Sequence, residues 1–368
     1  MSRTIGSSVS SRTSRRGLAF GLEVGDTIRL VSIHDAPSLQ DGFESAPCPL
    51  CGCTRARSVV RAGDRLAPRD PQKFTVVRCL GCGLAYLRPR PTRGTAGRCY
   101  PDSYSGSGRG GLIEALESAY RRRQFGEVAR WLASRHPRRG RLLDVGCGAG
   151  DLLAAMRADG WSVQGVEPQA LGASRARGEH GLDVLTGRFE DVRLQEGWFD
   201  VIVFSGVLEH LHDPVAALRQ ARTLLAPSGL LAVLFLPMLD SPEARLLGSR
   251  WMALDLPRHL THFEDVTFTV MAAKAGLDVV DRETYSRRHN PAQLVGSLAP
   301  GLQKHRFYAA ENGPEASAAV RLAPVVRRVA FLAATTVAWP ITRLAAVADA
   351  PSMCSYFLKP ADSPNAKA

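Results

Sequence analysis

From about residue 140 onward the chain alternates compact apolar runs with segments whose apolar positions recur every three or four residues. RLLDV, SVQGV, FDVIVF and LLAVLFLP have the length of buried strands, and DLLAAMRADG, PQALGASRARGEHG and DPVAALRQARTLLAPSG carry helical spacing between them. Strands separated by helices in this rhythm predict a doubly wound parallel sheet. A further helix over Glu264 to Ala275 ends at Gly276, and GLDVVDRETYS follows as the next strand. Ahead of this region, Gly111 to His136 has apolar residues at Leu112, Leu116, Ala119, Val128, Trp131 and Leu132 with basic residues between them. That is the pattern of an amphipathic helix, stopped by Pro137. Beyond Asn290 the text is helical and Ala-rich until MCSYFLKP, a last short strand.

The front of the chain follows other rules. Residues 1–46 are polar and without helical or strand periodicity, which predicts a flexible leader. From Pro47 to about Pro91, in CPLCGC and VVRCLGCGLAYLRPRP, short β-rich pieces separate pairs of cysteines and no helical pattern survives. The resulting organisation is a leader (1–46), a small metal-knuckle domain (47–100), a helical connector (101–138), an α/β domain (139–286), a helical insertion (287–352) and a last strand with a tail (353–368).

Composition changes this picture little. Of 368 residues, 47 are Lys or Arg and 35 Asp or Glu, a formal charge of +12, but nearly all the cations are Arg and only 7% of residues are aromatic. Such an Arg bias accompanies the Ala, Gly and Pro richness of a GC-rich bacterial genome. Without aromatics clustered among the cations it argues against a nucleic-acid partner. No apolar stretch follows the N-terminal Ser and Arg residues, which argues against a secretory signal. The cysteine usage fits a reducing, cytoplasmic setting.

The longest apolar candidate for a membrane span, Val329 to Thr342, is interrupted by Pro340 and closed by Arg343, so a buried or interfacial helix is the expected outcome. The longer stretch Val325 to Ala348, with Arg321, Arg327, Arg328 and Arg343 around it, supports two readings. Its apolar face packs on the sheet or forms a homodimer contact, which ranks first. Alternatively it lies peripherally on an anionic membrane and presents the pocket to a lipid-linked glycan.

The segment LLDVGCGAGDLL sets Gly146, Gly148 and Gly150 between a buried strand and a helix, where backbone can approach a ligand at the helix N-terminus. The G-x-G-x-G spacing, preceded by Asp144, differs from the G-x-G-x-x-G that suits a pyrophosphate, and an acid there suits an ammonium group. This argues against a nicotinamide-dependent oxidoreductase. Glu167 closes the next strand, placed to accept both hydroxyl hydrogens of a ribose.

LLDVGCGAG, GVEP, FDVIVFSGVLEHLHDP and LLAPSGLLAV, in that order, resemble the class I S-adenosylmethionine-dependent methyltransferases, in particular the bacterial small-molecule group related to ubiquinone-biosynthesis O-methyltransferases. The resemblance covers roughly Gly140 to Ser286. It implies a Rossmann-like seven-stranded sheet with an antiparallel last pair, within an α/β chain that adds a small N-terminal zinc ribbon and a helical insertion before the last strand. It also implies that Asp144, Gly146, Gly148 and Gly150 face the methionine portion of S-adenosylmethionine, Glu167 the ribose, Phe189 and Glu190 the adenine, and Ser205 and Gly206 the sulfonium. Glu190 reads equally well as a solvated surface acid.

Cys48 with Cys51 and Cys79 with Cys82 form two C-x-x-C pairs, the spacing at which two thiolates straddle one metal. A structural Zn2+ among these four is expected, with Cys53 an alternative to Cys51 and with Cys99, Cys147 and Cys354 as packing residues. The arrangement resembles the zinc-ribbon front end attached to bacterial methyltransferases of polysaccharide and secondary-metabolite clusters.

Methyl transfer needs an aligned nucleophile and, for a hydroxyl, a base. His210 in the Glu209-His210 pair is the first candidate. It could equally be a metal ligand, as in relatives that use magnesium, or a helix-start residue bonded to backbone. His259 in PRHLTHF, on a lid, is the second, with His262 assigned to capping or packing. The expected activity is O-methylation of a sugar or small metabolite, with a small-molecule or glycan acceptor. N- or C-methylation on the same fold is an alternative, as is a non-catalytic nucleic-acid-binding ribbon module.

Overall fold

The computed structural model describes residues 30–31, 41–68, 70–100, 112–302 and 318–361. Most of the expected leader (1–29 and 32–40), residues 101–111 of the expected connector, residues 303–317 of the expected insertion and the final residues 362–368 lie outside the described residues. The front carries β1 (Leu30–Val31), β2 (Phe43–Glu44), β3 (Ala56–Gly63), β4 (Lys73–Cys79), β5 (Ala85–Leu87) and β6 (Arg90–Pro91). After α1 (Leu112–Arg135), the α/β region runs β7 (Arg141–Val145), α2 (Asp151–Ala158), β8 (Ser162–Glu167), α3 (Ala170–His180), β9 (Val184–Thr186), β10 (Phe199–Ser205), α4 (Pro214–Leu224) and β11 (Leu225–Pro237). The remainder is α5 (Pro242–Leu247), β12 (Thr261–His262), α6 (Asp265–Lys274), β13 (Leu277–Glu283), α7 (His289–Leu298), α8 (Ala318–Val347) and β14 (Met353–Pro360).

Seven strands form the main sheet in the order β13-β14-β11-β10-β7-β8-β9. The strands from β11 to β9 are mutually parallel, and β14 runs antiparallel to both neighbours. This is the α/β Rossmann-like sheet expected from the resemblance. The reason is legible in β10, where Val201 to Phe204 are buried on both faces, as a central parallel strand between two helical layers must be. One layer sets Val128 and Leu132 of α1, Leu152, Leu153 and Met156 of α2 and Ala173 and Ala176 of α3 against the sheet. The other uses Val215 and Leu218 of α4 and Phe268 and Met271 of α6. Local signals fix the helix ends. Asp213 accepts from the Ala216 N–H with Pro214 next to it, and Glu264 with Thr267 forms a reciprocal capping box on α6.

The front differs from the sequence reading in two ways. First, the leader was expected to lack strands, yet Leu30–Val31 pairs with β3 and Phe43–Glu44 with β6. Two-residue strands leave no periodicity in the text and exist only because a partner is present. Second, the ribbon is not a separate body. Its sheet, β1-β3-β4-β5-β12, is completed by β12 from the far side of the α/β region. Cys48, Leu50, Val77, Cys79 and Tyr86 belong to the same apolar cluster as α4 and α6, and Phe74, Val76 and Leu87 pack on Trp251, Leu254 and Leu260 of the expected lid, the segment between β11 and α6.

Polar bonds lock this seam. The Arg258 side chain, fully buried, donates to Asp64 of the ribbon at 2.7 Å and to Asp255 of the lid at 2.8 Å. It also donates to the Cys99 carbonyl at 3.0 Å. Arg78 pairs with Glu264 at 2.5 Å, and the His212 Nε2–H donates to the Pro91 carbonyl at 2.9 Å.

The apolar stretch of the insertion also departs from expectation. Pro340 does not interrupt it: α8 is a continuous helix of 30 residues, and Val329–Val347 is long and apolar enough to cross a membrane by length and composition alone. Of the reading that ranked first, packing on the sheet fails for the large side chains, because Val329, Val337, Ile341 and Leu344 are exposed, while a homodimer contact would use these exposed residues.

Removing the Arg258 guanidinium leaves two carboxylates without their cation. The Arg258→Ala variant is expected to lose about 3–5 kcal/mol of stability in urea unfolding, and a loss under about 1 kcal/mol would show that the seam does not depend on it.

Candidate functional site

The glycine loop joins β7 to α2 with Gly146, Gly148 and Gly150 at φ of 72°, 55° and 83°. All three lie in the left-handed region that disfavours other residues. A Cβ at Gly146 would come within 2.6 Å of Val207, and one at Gly150 within 2.5 Å of Leu182, whereas one at Gly148 would meet nothing. The loop is thus packed at both ends and open in the middle. Glu167, at the end of β8, accepts from the Gly148 N–H and from the Gln169 N–H, each at 2.8 Å. Each oxygen keeps a lone pair for a further donor, as a ribose diol requires. Burial raises the Glu167 carboxyl, opposed by these two N–H groups. Asp144 is buried with Oδ1 lacking a partner, and burial together with the neighbouring Glu167 pushes its pKa up to about 8. An orphaned buried carboxyl beneath an open glycine loop fits a cationic, amino-bearing ligand.

The second group lies one loop away, beyond the Val207 side chain that touches Gly146. Ser205 ends β10, Gly206 follows at φ 65°, and Glu209 and His210 form a short 3-10 turn. The His210 Nδ1 is 3.1 Å from the Arg258 carbonyl and 2.9 Å from the Tyr100 hydroxyl. A carbonyl can only accept, so Nδ1 is assigned the proton and Nε2 the free lone pair. His259 is fixed the same way, its Nδ1–H donating to the Ala253 carbonyl at 2.8 Å, and the two rings meet edge to face at 4.6 Å. Burial lowers His210 to about 3 and His259 to about 4. It raises Glu209 to about 8, and Glu209 Oε2 has no partner. Glu209, His210 and His259 each bring one donor atom within 4.8 Å of the others, close enough to share a cation.

The third group is the cysteine cluster. Cys48 and Cys82 are 3.5 Å apart, as are Cys51 and Cys79, and all four sulfurs lie within 4.8 Å of one another. Zn–S bonds of about 2.3 Å in a tetrahedron put sulfurs about 3.8 Å apart, so the cluster fits one ion. Gly52 and Gly83 take φ of 75° and 81° in the two knuckle turns. Cys53 turns away to the Arg55 carbonyl. Burial raises the Cys48 thiol and pushes Cys82 up to about 11, a state that a bound cation would relieve.

Phe189 and Glu190, expected to flank an adenine, lie between β9 and β10. Phe189 is 3% exposed and edge-on to Phe204 at 5.5 Å, so it serves the core. Glu190 pairs with Arg93 of the ribbon at 3.5 Å. His262 sits in β12, buried, with Nε2 unpartnered. Cys147 and Cys354 are buried, and Cys99 is half-buried. Sequence reasoning assigned no role to Tyr100, Asp255, Arg258 or Gly172. Gly172 of α3 lies so near the loop that a Cβ would be 3.2 Å from the Glu167 side chain.

Residues 118–282 match a family model described as a methyltransferase domain. The chain is 34% identical over 170 residues to the ubiquinone biosynthesis O-methyltransferase of Cereibacter sphaeroides, a match covering 43% of this chain and 68% of that protein. The chain belongs to the class I S-adenosylmethionine-dependent methyltransferases. A ubiquinone biosynthesis O-methyltransferase of Xanthomonas oryzae is 33% identical over 135 residues, covering 34% of this chain and 55% of that protein. Among solved structures, magnesium protoporphyrin IX methyltransferase from Synechocystis is similar at 16% identity and a TM-score of 0.39, covering 52% of this chain and 86% of that one.

In this methyltransferase the raised Asp144 holds its proton near neutral pH in the free protein. A cationic cofactor held beside it would stabilise the ionised form, so if Asp144 lies at the cofactor, binding of S-adenosylmethionine at pH about 7 is expected to release a proton. Calorimetry in buffers of different ionisation enthalpy reads this directly. Heats independent of buffer would contradict it, and Asp144→Asn should abolish the release.

Proposed function

We propose that the enzyme methylates a hydroxyl of a sugar or small metabolite, with His210 as the base and a structural zinc ion held by Cys48, Cys51, Cys79 and Cys82. The observation that carries the reading is the state of His210. Its Nδ1 faces the Arg258 carbonyl and the Tyr100 hydroxyl, leaving Nε2 to take a proton. S-adenosylmethionine, when bound, supplies a methyl group on a sulfonium leaving group. The chain's own part is to hold that cofactor at Asp144, Gly146, Gly148, Gly150 and Glu167, with Ser205 and Gly206 at the end of β10 beside the reacting end.

Acceptor protons would pass to His210 Nε2. The His259 ring stacked edge-on to His210 would orient it and keep water out. Burial makes His210 a weak base, which suits it to take the acceptor's proton only as that oxygen bonds to the methyl carbon. A cavity of about 370 Å³ at the ribbon–lid junction, walled by Asp41, Asp64, Asp70, Cys99 and Pro257, offers carboxylates to a hydroxyl-rich acceptor. Cys99 and Pro257 are the chain neighbours of Tyr100 and Arg258. O-methylation is also the chemistry named for the ubiquinone-biosynthesis relatives.

The test is label transfer from methyl-labelled S-adenosylmethionine to a panel of sugars, sugar nucleotides and phenols. His210→Ala should lower kcat by about 10²–10⁴ while cofactor affinity stays within about threefold. Unchanged turnover would remove His210 from the chemistry, and a labelled nitrogen or carbon in the product would replace O-methylation. Elemental analysis of the same preparation should give one zinc per chain, lost in Cys79→Ser. Metal-free native protein would end the zinc assignment.

A further inference from the structure

α8 wears its hydrophobicity inside out. With about 100° between successive residues, Val326, Val329, Val337, Ile341, Leu344 and Val347 fall on one side of the helix, and each is more than half exposed. The opposite side carries Ala338, Thr342 and Ala346, which are buried. That inward face is sewn to the body of the protein. The helix packs along α7, and the Thr342 hydroxyl is 3.5 Å from the Tyr285 hydroxyl. A helix that buries its small residues and exposes its large apolar ones has not finished its packing on its own chain.

Charge says what completes it. The sequence of α8 holds four arginines, Arg321, Arg327, Arg328 and Arg343, and no acidic residue. Arg327 and Arg343, both exposed, flank the apolar side on its two edges, and the Arg343 guanidinium lies 5.3 Å over the Tyr285 ring. Trp339, 44% exposed, adds an aromatic with an apolar body and a polar N–H. A second copy of this helix placed against the first would bring arginines together with no acid on α8 to meet them. An anionic lipid surface offers acyl chains to the apolar side and phosphates to the arginines at its edges. Because the inward side is covered by protein, α8 lies in the plane of the surface rather than across the bilayer.

We propose that α8 is an interfacial helix that docks this methyltransferase on an anionic membrane, with Val337, Ile341 and Leu344 among the acyl chains and Arg327 and Arg343 at the headgroups. Docking there leaves the glycine loop and the ribbon seam, on other elements, unaltered. The site's chemistry and its membrane address are therefore separable.

Flotation of the full chain with vesicles of phosphatidylcholine mixed with phosphatidylglycerol, against phosphatidylcholine alone, tests this. The wild type should float with the anionic vesicles at low salt and less so at high salt. Combined Ile341→Asp and Leu344→Asp should reduce the bound fraction at least about tenfold, and Arg327→Gln with Arg343→Gln should remove the salt dependence. Unchanged S-adenosylmethionine affinity in each variant reports an intact fold. Protein that stays unbound at both salt concentrations would overturn the proposal. So would flotation insensitive to the aspartate variants, or a dimer in sedimentation velocity without lipid that those variants abolish.

Discussion

A single buried guanidinium holds the two halves of this protein in register. Arg258 has no exposed side-chain surface, and its carboxylate partners are Asp64, far away in the ribbon, and Asp255, three residues before it in the lid. A charge removed from water this completely is tolerable only with its hydrogen bonds satisfied, which restricts the ribbon and the lid to one mutual arrangement. Everything at the proposed acceptor side depends on that arrangement. The backbone carbonyl of Arg258 faces His210, Cys99 reports to the same guanidinium, and the next residue, Tyr100, reaches His210. The five-stranded front sheet is thus tied to the site through Arg258 and β12, in place of a detachable appendage.

Burial then sets the electrical character of the site. It pushes Asp144 and Glu209 up to about 8, and it pulls His210 and His259 down to about 3 and 4. These opposite shifts have one cause, the cost of a charge in a poorly solvated place, and one result. Near neutral pH Asp144, Glu209, His210 and His259 are then neutral in the free protein. A cationic sulfonium cofactor would bring the principal charge into such a site, and carboxyls poised to ionise beside it are a way of stabilising that charge without prior repulsion between Asp144 and Glu167.

The elements legible from sequence were those whose reasons are local. Apolar runs marked β7, β8, β10 and β11, the Asp213-Pro214 pair marked the start of α4, and the glycines marked the loop, because each signal concerns neighbours along the chain. The four cysteines were legible because knuckle spacing is local too. What failed was decided at a distance. Phe43–Glu44 is a strand only because Arg90–Pro91 lies beside it, and Thr261–His262 joins a sheet formed about 175 residues earlier, which no periodicity can signal. Tyr100, Asp255 and Arg258 gain their meaning from partners across the seam. Phe189, read from the motif as a cofactor neighbour, also packs its ring edge-on against Phe204, a contact no local pattern announces. In α8 the period was right and the direction of the face was wrong, because the small residues fit against α7 and the large ones do not.

If the ribbon seam holds the Arg258 carbonyl against His210, the ring is neutral with its proton on Nδ1. Long-range proton–nitrogen NMR on histidine-labelled protein near neutral pH reads ring tautomers directly, without an acceptor in hand. In the wild type the His210 signal, assigned by its loss in His210→Gln, should show the Nδ1–H tautomer, and in Asp64→Ala it should shift toward a mobile, exchanging ring. A proton on Nε2, or a His210 signal identical in the two proteins, would show that the seam does not set the state of this ring.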